Sequence, residues 1–158
     1  MENNLFPEII EEEEIDETSE QDIDTPVGYK NGVMWDYELG DFARDGKNKL
    51  LDSDGIESWR SWCTNCIRTE RYSHLAYSTD FGVEWDTVFS AETREEAESI
   101  LTRQITEALL ADPYQRTNYI EEIECNWSGS DAVELKIIVH GVEDVTIDIT
   151  AYITQGGV

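Results

Sequence analysis

The chain reads as an α+β protein, a two-layer sandwich in which an antiparallel β-meander plus an N-terminal strand is covered on one face by two α-helices. Three observations predict this. Residues 119–153 alternate apolar and polar side chains through three stretches, separated by Ser128-Gly129-Ser130-Asp131 and by His140 to Asp144. Two earlier segments repeat apolar residues at helical spacing, and one more alternating stretch precedes them. Elements segregated in this way pack as a sheet with helices on one side.

Charge divides the chain into an acidic tail, residues 1–28, and a folded unit, residues 29–158. Of a net charge of −25 over 158 residues, residues 1–29 supply 11 acidic side chains and no Lys or Arg, whereas the remainder holds 25 acidic against 11 basic groups. Such a balance repels phosphate backbones, so no nucleic-acid partner is expected; a basic protein partner, or solubility alone, suits it. No apolar run approaches the roughly 20 residues that span a bilayer. The acidic N-terminus lacks the features of a signal peptide, so no membrane is expected and folding is placed in a cytoplasm. Cys63, Cys66 and Cys125 are too few and odd in number for a disulfide framework, and reduced thiols are expected.

In the tail, Leu5, Phe6, Ile9, Ile10, Ile15 and Ile23 are isolated among acids, with Pro7 and Pro26 as breakers. This suits either a solvated tail or an arm that orders on a partner. Val33, Trp35, Tyr37 and Leu39 then alternate with Met34, Asp36 and Glu38, the period of a half-buried strand that would join the meander. Gly40-Asp41 ends it, and Asp45-Gly46 marks a turn in a small ribbon between Phe42 and Leu51.

Asp52, Ser53 and Asp54 offer N-cap oxygens to a first helix, whose buried stripe is Ile56, Trp59, Cys63, Cys66 and Ile67. Thr93 and Glu96 form a capping box for a second, with inner face Ala97, Ile100, Leu101, Ile105, Ala108 and Leu109, stopped by Asp112-Pro113. The first strand of the meander puts Tyr119, Glu121, Ile123, Cys125 and Trp127 on one face, and the second Val133, Leu135, Ile137 and Val139. In the third, Val145, Ile147, Ile149, Ala151 and Ile153 alternate with Thr146, Asp148, Thr150 and Tyr152.

Little in this pattern points to catalysis. Cys63 and Cys66 have redox-motif spacing, but about two helical turns precede them, so they are expected in the core rather than at a reactive helix N-terminus. Zinc would need Cys125 and His74 or His140 to converge with that pair, and the spacing supplies no second compact ligand pair. Asp52-Ser53-Asp54-Gly55 lacks the glycine and glutamate positions of a calcium loop. Glu70 with Asp80 or Asp86 would make a glycosidase carboxylate pair, yet acids are abundant enough for such pairs to arise by chance. Glu70-Arg71 fits better as an ion pair that pins a helix-to-strand joint or meets a neighbouring chain. No catalytic residue, metal or cofactor is expected.

The stretch Thr69-Glu70-Arg71, followed by Tyr77, the Asp80-Phe81-Gly82 turn and the amphipathic segment Val83 to Phe89, resembles the sheath-initiator family of contractile phage tails and related injection machines. These small baseplate wedge proteins were once labelled lysozyme-like. The order of parts over residues 33–155 is similar: a helix into a threonine-containing loop, a Glu-Arg pair, an aromatic-glycine turn, a capped helix and a C-terminal meander. The proline or glycine often found beside the Glu-Arg pair is missing, and the acidic tail is closest to versions from prophages and bacteriocins of Gram-positive bacteria.

The resemblance implies a structural baseplate protein rather than an enzyme. Six copies would ring the tail tube and template the first sheath ring, with sheath protein, baseplate wedge proteins and tube or hub proteins as partners. Assembly would occur in the bacterial host cytoplasm and the mature site would be the particle's tail baseplate. Thr69, Glu70, Arg71, Tyr77, Asp80, Phe81 and Gly82 are the implied baseplate contacts. The strand Val145 to Ile153, or its neighbour Val133 to Val139, would accept a sheath arm by strand addition. Two rivals are an acidic adaptor or inhibitor acting through the tail and a murein hydrolase using Glu70.

Overall fold

The structure, a computed structural model, describes residues 28–156. The expectation of a solvated or partner-ordered tail over residues 1–28 therefore lies outside the described residues, apart from Gly28. In chain order the elements are β1 (Gly32–Val33), β2 (Trp35–Asp36), β3 (Asp41–Phe42), β4 (Asp52–Ser53), α1 (Gly55–Arg68), α2 (Trp85–Phe89), α3 (Arg94–Leu110), β5 (Thr117–Ser128), β6 (Ala132–Gly141), a 3-10 turn (Val142–Asp144) and β7 (Thr146–Thr154). Strands β5, β6 and β7 form an antiparallel meander in that order. Helix α1 packs over β7 and α3 over β5, which makes the two layers.

The N-terminal strand does not extend that sheet. β1 pairs with β4 and β2 with β3, as two short antiparallel ribbons of their own. The alternation from Val33 to Leu39 is cut by Asp36, whose Oδ1 accepts the amides of Glu38 and Leu39 at 2.9 and 3.0 Å. Gly40, at φ 67°, then donates to the Asp36 carbonyl at 2.9 Å. An Asx-type turn of this kind offers backbone groups a local partner in place of a neighbouring strand. The Asp45 turn lies where the sequence put it, with its carboxylate accepting the Lys47 and Lys49 amides.

Asp54 caps α1 through the Glu57 amide at 2.8 Å, and Trp59, Cys63, Cys66 and Ile67 are fully buried. Ile56 is not: 40% of it is exposed in the first turn. Periodicity defines a helix face but not how far the sheet reaches beneath it. For α3, the Thr93 hydroxyl accepts the Glu96 amide at 3.1 Å, while the Glu96 carboxylate accepts the Glu92 amide, one residue earlier than in a reciprocal capping box.

The sheet's inner face is Val133, Leu135, Ile137 and Val139 from β6 with Ile147, Ile149, Ala151 and Ile153 from β7, all buried. Each branched or leucine side chain withdrawn from water there stabilises the fold by about 1.5–3 kcal/mol. In β5 the predicted face needs correction. The register slips between Ile120 and Glu122, so Ile120 faces Val139 and Ile123 faces Ile137, whereas Tyr119 pairs with His140. This bulge moves Tyr119 to the outer face, where its ring stacks on His140 with centroids 4.4 Å apart.

Two further contacts close the unit. Tyr29 donates from its hydroxyl to the Val142 carbonyl at 2.8 Å and packs on Trp59; a side chain at Gly141 would strike that hydroxyl, 2.1 Å away. Between α3 and β5, the Arg116 guanidinium makes two 2.8 Å hydrogen bonds to the Asp112 carboxylate, both side chains being almost wholly buried. Removing one member of such a pair strands the other charge. Asp112→Ala is therefore expected to lower unfolding free energy by about 3–5 kcal/mol in denaturant titration. A loss under about 1 kcal/mol would mean that Arg116 recovers solvent or another acceptor.

Candidate functional site

Between α1 and α2 the chain makes the joint that the sequence singled out. Helix α1 ends at Thr69, whose hydroxyl donates back to the Asn65 carbonyl at 2.7 Å. The chain then runs parallel to Gly82-Val83: the Arg71 amide donates to the Val83 carbonyl and the Val83 amide to the Thr69 carbonyl, each at 3.0 Å. Gly82 is required at this crossing. Its φ is +100°, and a Cβ there would lie 2.8 Å from the Thr69 carbonyl oxygen.

Glu70 and Arg71 do not pair with each other, which corrects the expected ion pair. The Glu70 carboxylate accepts the Trp85 amide at 2.9 Å, capping α2, whose own N-cap residue Glu84 makes no side-chain cap. Partial burial raises the Glu70 pKa against the lowering effect of that amide, and the charges of Asp86 and Glu84 add to the rise. Arg71 turns inward with 9% of its side chain exposed. Its Nε donates to the Gly82 carbonyl at 2.9 Å, one terminal nitrogen to the Gln104 carbonyl at 3.4 Å, and the other lies 3.8 Å from the Glu107 carboxylate.

The loop beyond the crossing, residues 72–80, is exposed. Residues 72–80 run through successive turns, with Tyr72 at φ 66° and Leu75 fully exposed at the tip. Tyr77, half-exposed, packs on Phe81 with the rings tilted and their centroids 4.7 Å apart, and Phe81 meets Trp62 of α1 edge-on at 5.8 Å. Asp80 is exposed. The seven joint residues named from the sequence thus fall into an inner group (Thr69, Glu70, Arg71, Gly82) that builds the joint, an outer pair (Tyr77, Asp80) that faces solvent, and Phe81, half-buried between Tyr77 and the core.

Sequence reasoning passed over Gln104. It is buried on the inner face of α3, where its amide accepts from the Glu84 backbone and donates to the Glu84 carboxylate, both at 2.8 Å. A lone amide among Ala97, Leu101, Ile105 and Ala108 was the available signal. Trp85 is a second fastener, its indole donating to the Ile67 carbonyl at 3.0 Å, an acceptor that the end of α1 leaves free. Cys63 and Cys66 are buried in α1. Desolvation drives the Cys63 thiol far up and the Cys66 thiol to about 11, the reverse of an activated thiolate. Among the described residues, no group of three or more His, Cys, Asp or Glu side chains is placed to hold a metal ion, and no helix is long and apolar enough to cross a membrane.

The second candidate surface is β7. Its register with β6 is unbroken over nine pairs, Ala132 with Thr154 through His140 with Thr146. Val145 precedes the strand and is bound into the turn, donating to the Val142 carbonyl. The bond from the Gly141 amide to the Val145 carbonyl fixes the phase of the ladder. By alternation, Ile147, Ile149, Ala151 and Ile153 exchange hydrogen bonds with β6, whereas Thr146, Asp148, Thr150 and Tyr152 direct their amides and carbonyls to the open side. Strand β6 is paired on both sides, so Val133 to Val139 is not an edge, which removes that alternative receiving surface.

The chain belongs to the contractile injection system sheath initiator family, which it matches over residues 32–144. No curated protein matches the chain. As a family member it is a structural sheath initiator of a contractile injection system, the class of part found at a tail baseplate.

Glu70→Gln keeps an oxygen for the Trp85 amide and removes the charge. Because folding raises the Glu70 pKa above its ordinary 4.5, the folded chain binds more protons than the unfolded one in the interval above 4.5, and stability falls as pH rises through it. The native chain should therefore lose melting temperature relative to Glu70→Gln as pH is raised from about 4 to about 7. A pH-independent difference would remove the charge of Glu70 from the account.

Proposed function

We propose that the protein caps the baseplate around the tail tube, as one copy of a hexameric ring, and templates the first sheath ring by accepting a sheath arm along β7. Family membership supplies the setting. The observation that carries the mechanism is the β7 edge: nine residues in unbroken register, with four outward-facing backbone sites and no second neighbour strand among the described residues. The opposite edge, β5, suits strand addition less well. It carries register shifts at Thr117/Tyr119 and Ile120/Glu122, and bulges of this kind twist an edge away from a partner.

The baseplate-facing side is assigned to Tyr77 and Asp80, backed by the half-buried Phe81 and joined by the exposed Leu75. Thr69, Glu70, Arg71 and Gly82 serve it by holding the loop in place. Their hydrogen bonds are all internal, so reversing the charge of Arg71 would test folding before it tested docking.

Asp148→Pro removes an outward amide without touching the β6 ladder, a change an edge strand tolerates. The variant should fold and enter baseplates but fail to nucleate sheath, scored as bare tubes on complete baseplates by electron microscopy. Full-length sheath on those particles would overturn strand addition at β7. For the joint, Leu75→Asp with Tyr77→Ala should leave the melting curve nearly intact and abolish incorporation into baseplates. Undiminished incorporation would move the baseplate contact elsewhere.

A further inference from the structure

Strand β7 is an edge without the usual defences. Its nine residues contain no Pro, Gly, Lys or Arg and a single charge, Asp148, and their register with β6 has no bulge. The opposite edge, β5, carries two register shifts and the exposed acids Glu121, Glu122 and Glu124, features that keep foreign strands away. The side chains of Ile147, Ile149, Ala151 and Ile153 are already buried, so what β7 leaves open is backbone. By the phase of the ladder, the amides and carbonyls of Asp148, Thr150 and Tyr152 point away from β6, and no other backbone segment among the described residues meets them.

Open groups of this kind pair with another strand when one is offered. In a solution of the free chain the strand on offer is β7 of a second copy, and β7 is complementary to itself. A two-fold pair uses the same patch on both subunits, here with the strands antiparallel. Centred on Thr150, the midpoint of Thr146–Thr154, it overlaps the two strands from end to end. Asp148 then lies opposite the second copy's Tyr152, and Thr150 opposite its own equivalent, so no two carboxylates face each other in the new ladder. Tyr152 is 57% exposed and carries a hydroxyl donor for the Asp148 carboxylate it would face. Centring on Asp148 instead would set two like charges directly opposite, which destabilises a cross-strand pair.

We propose that the free subunit is a two-fold dimer in which β7 pairs antiparallel with β7 of a second copy about Thr150, joining the two meanders into one continuous sheet. The net charge of −25 on each chain opposes this association, and salt screens that repulsion. The dimer rests on the edge geometry alone. Its consequence for assembly, that the copies part before β7 receives a sheath arm, rests on strand addition at β7.

The test is sedimentation velocity on the purified full-length chain over a range of concentrations. The expected result is a monomer–dimer equilibrium that tightens as salt is raised from about 0.05 M to about 0.5 M. Asp148→Pro, which removes an outward amide, should keep the melting curve and abolish the dimer. Tyr152→Asp keeps every amide but sets a carboxylate opposite Asp148 at both symmetric positions, and should raise the dimer Kd about 2- to 30-fold. Adding Asp148→Lys to that variant makes the facing charges opposite in sign and should restore the dimer. Overturning results are a monomer at every concentration and salt, a dimer that Asp148→Pro leaves intact, or a Tyr152→Asp loss that Asp148→Lys does not reverse. A monomer whose Asp148, Thr150 and Tyr152 amides are protected from hydrogen exchange would assign the edge to a segment of the same chain. No sheath or baseplate is present, so failure here leaves strand addition standing, and failure of strand addition leaves the dimer standing.

Discussion

Residues 69–71 cross Gly82-Val83 where α1 ends and the chain turns back toward α2. An α-helix ending inside a packed unit leaves carbonyls without partners, and here a chain reversal follows at once. Three side chains resolve the conflict. The Trp85 indole takes the free Ile67 carbonyl, the Arg71 guanidinium takes the carbonyls of Gly82 and Gln104, and the Glu70 carboxylate takes the first amide of α2. These bonds act together with apolar burial, since Cys66, Ile67, Val83 and Trp85 at the crossing belong to the buried core. The loop beyond it can then expose Tyr72, Leu75 and Tyr77 and still be fixed at both ends.

Rigidity at the joint passes to α3 through Gln104. Its side chain fixes Glu84 while its backbone carbonyl receives Arg71, so one residue fastens both sides of the crossing to the helix that lies over β5. The salt bridge of Asp112 with Arg116 performs a similar task where α3 leaves for β5. Its energetic worth lies in geometry: a paired, desolvated ion pair adds little net stability, whereas a half-pair is costly, which disfavours other paths for that loop.

Much of this was legible in the residues. The helices, their caps at Asp54 and Thr93, the buried cysteines and the inner face of β6 and β7 follow from periodicity and local hydrogen bonding, both of which act over a few residues. The failures have a common physical cause. Val33 to Leu39 alternates like a strand, but Asp36 satisfies its neighbours' amides locally, and composition does not disclose that competition. Tyr119 and Glu121 continue the alternation of β5 in sequence, while a bulge shifts it in space. Glu70 and Arg71 are adjacent and opposite in charge, yet each is better satisfied by backbone groups that are close only after folding. The joint was therefore visible as a location in the sequence, whereas its division into an inner scaffold and an outer surface was not.

A protein that starts a polymer must hold its receiving edge in a fixed relation to whatever it stands on. Helix α1 meets that requirement. It begins against Tyr29 and Gly141, where β6 turns toward β7, passes over β7 with Trp59, Cys63, Cys66 and Ile67 in the core, and ends in the crossing that carries the joint. Trp59 also donates to the Thr117 hydroxyl at 3.2 Å, which ties the start of β5 to the same helix. Close-packed interiors deform little, so the core that α1 shares with β7 ties the crossing to that strand. On the proposed reading, the orientation of the first sheath subunit is then set by the seating of the joint, through about 20 Å of helix.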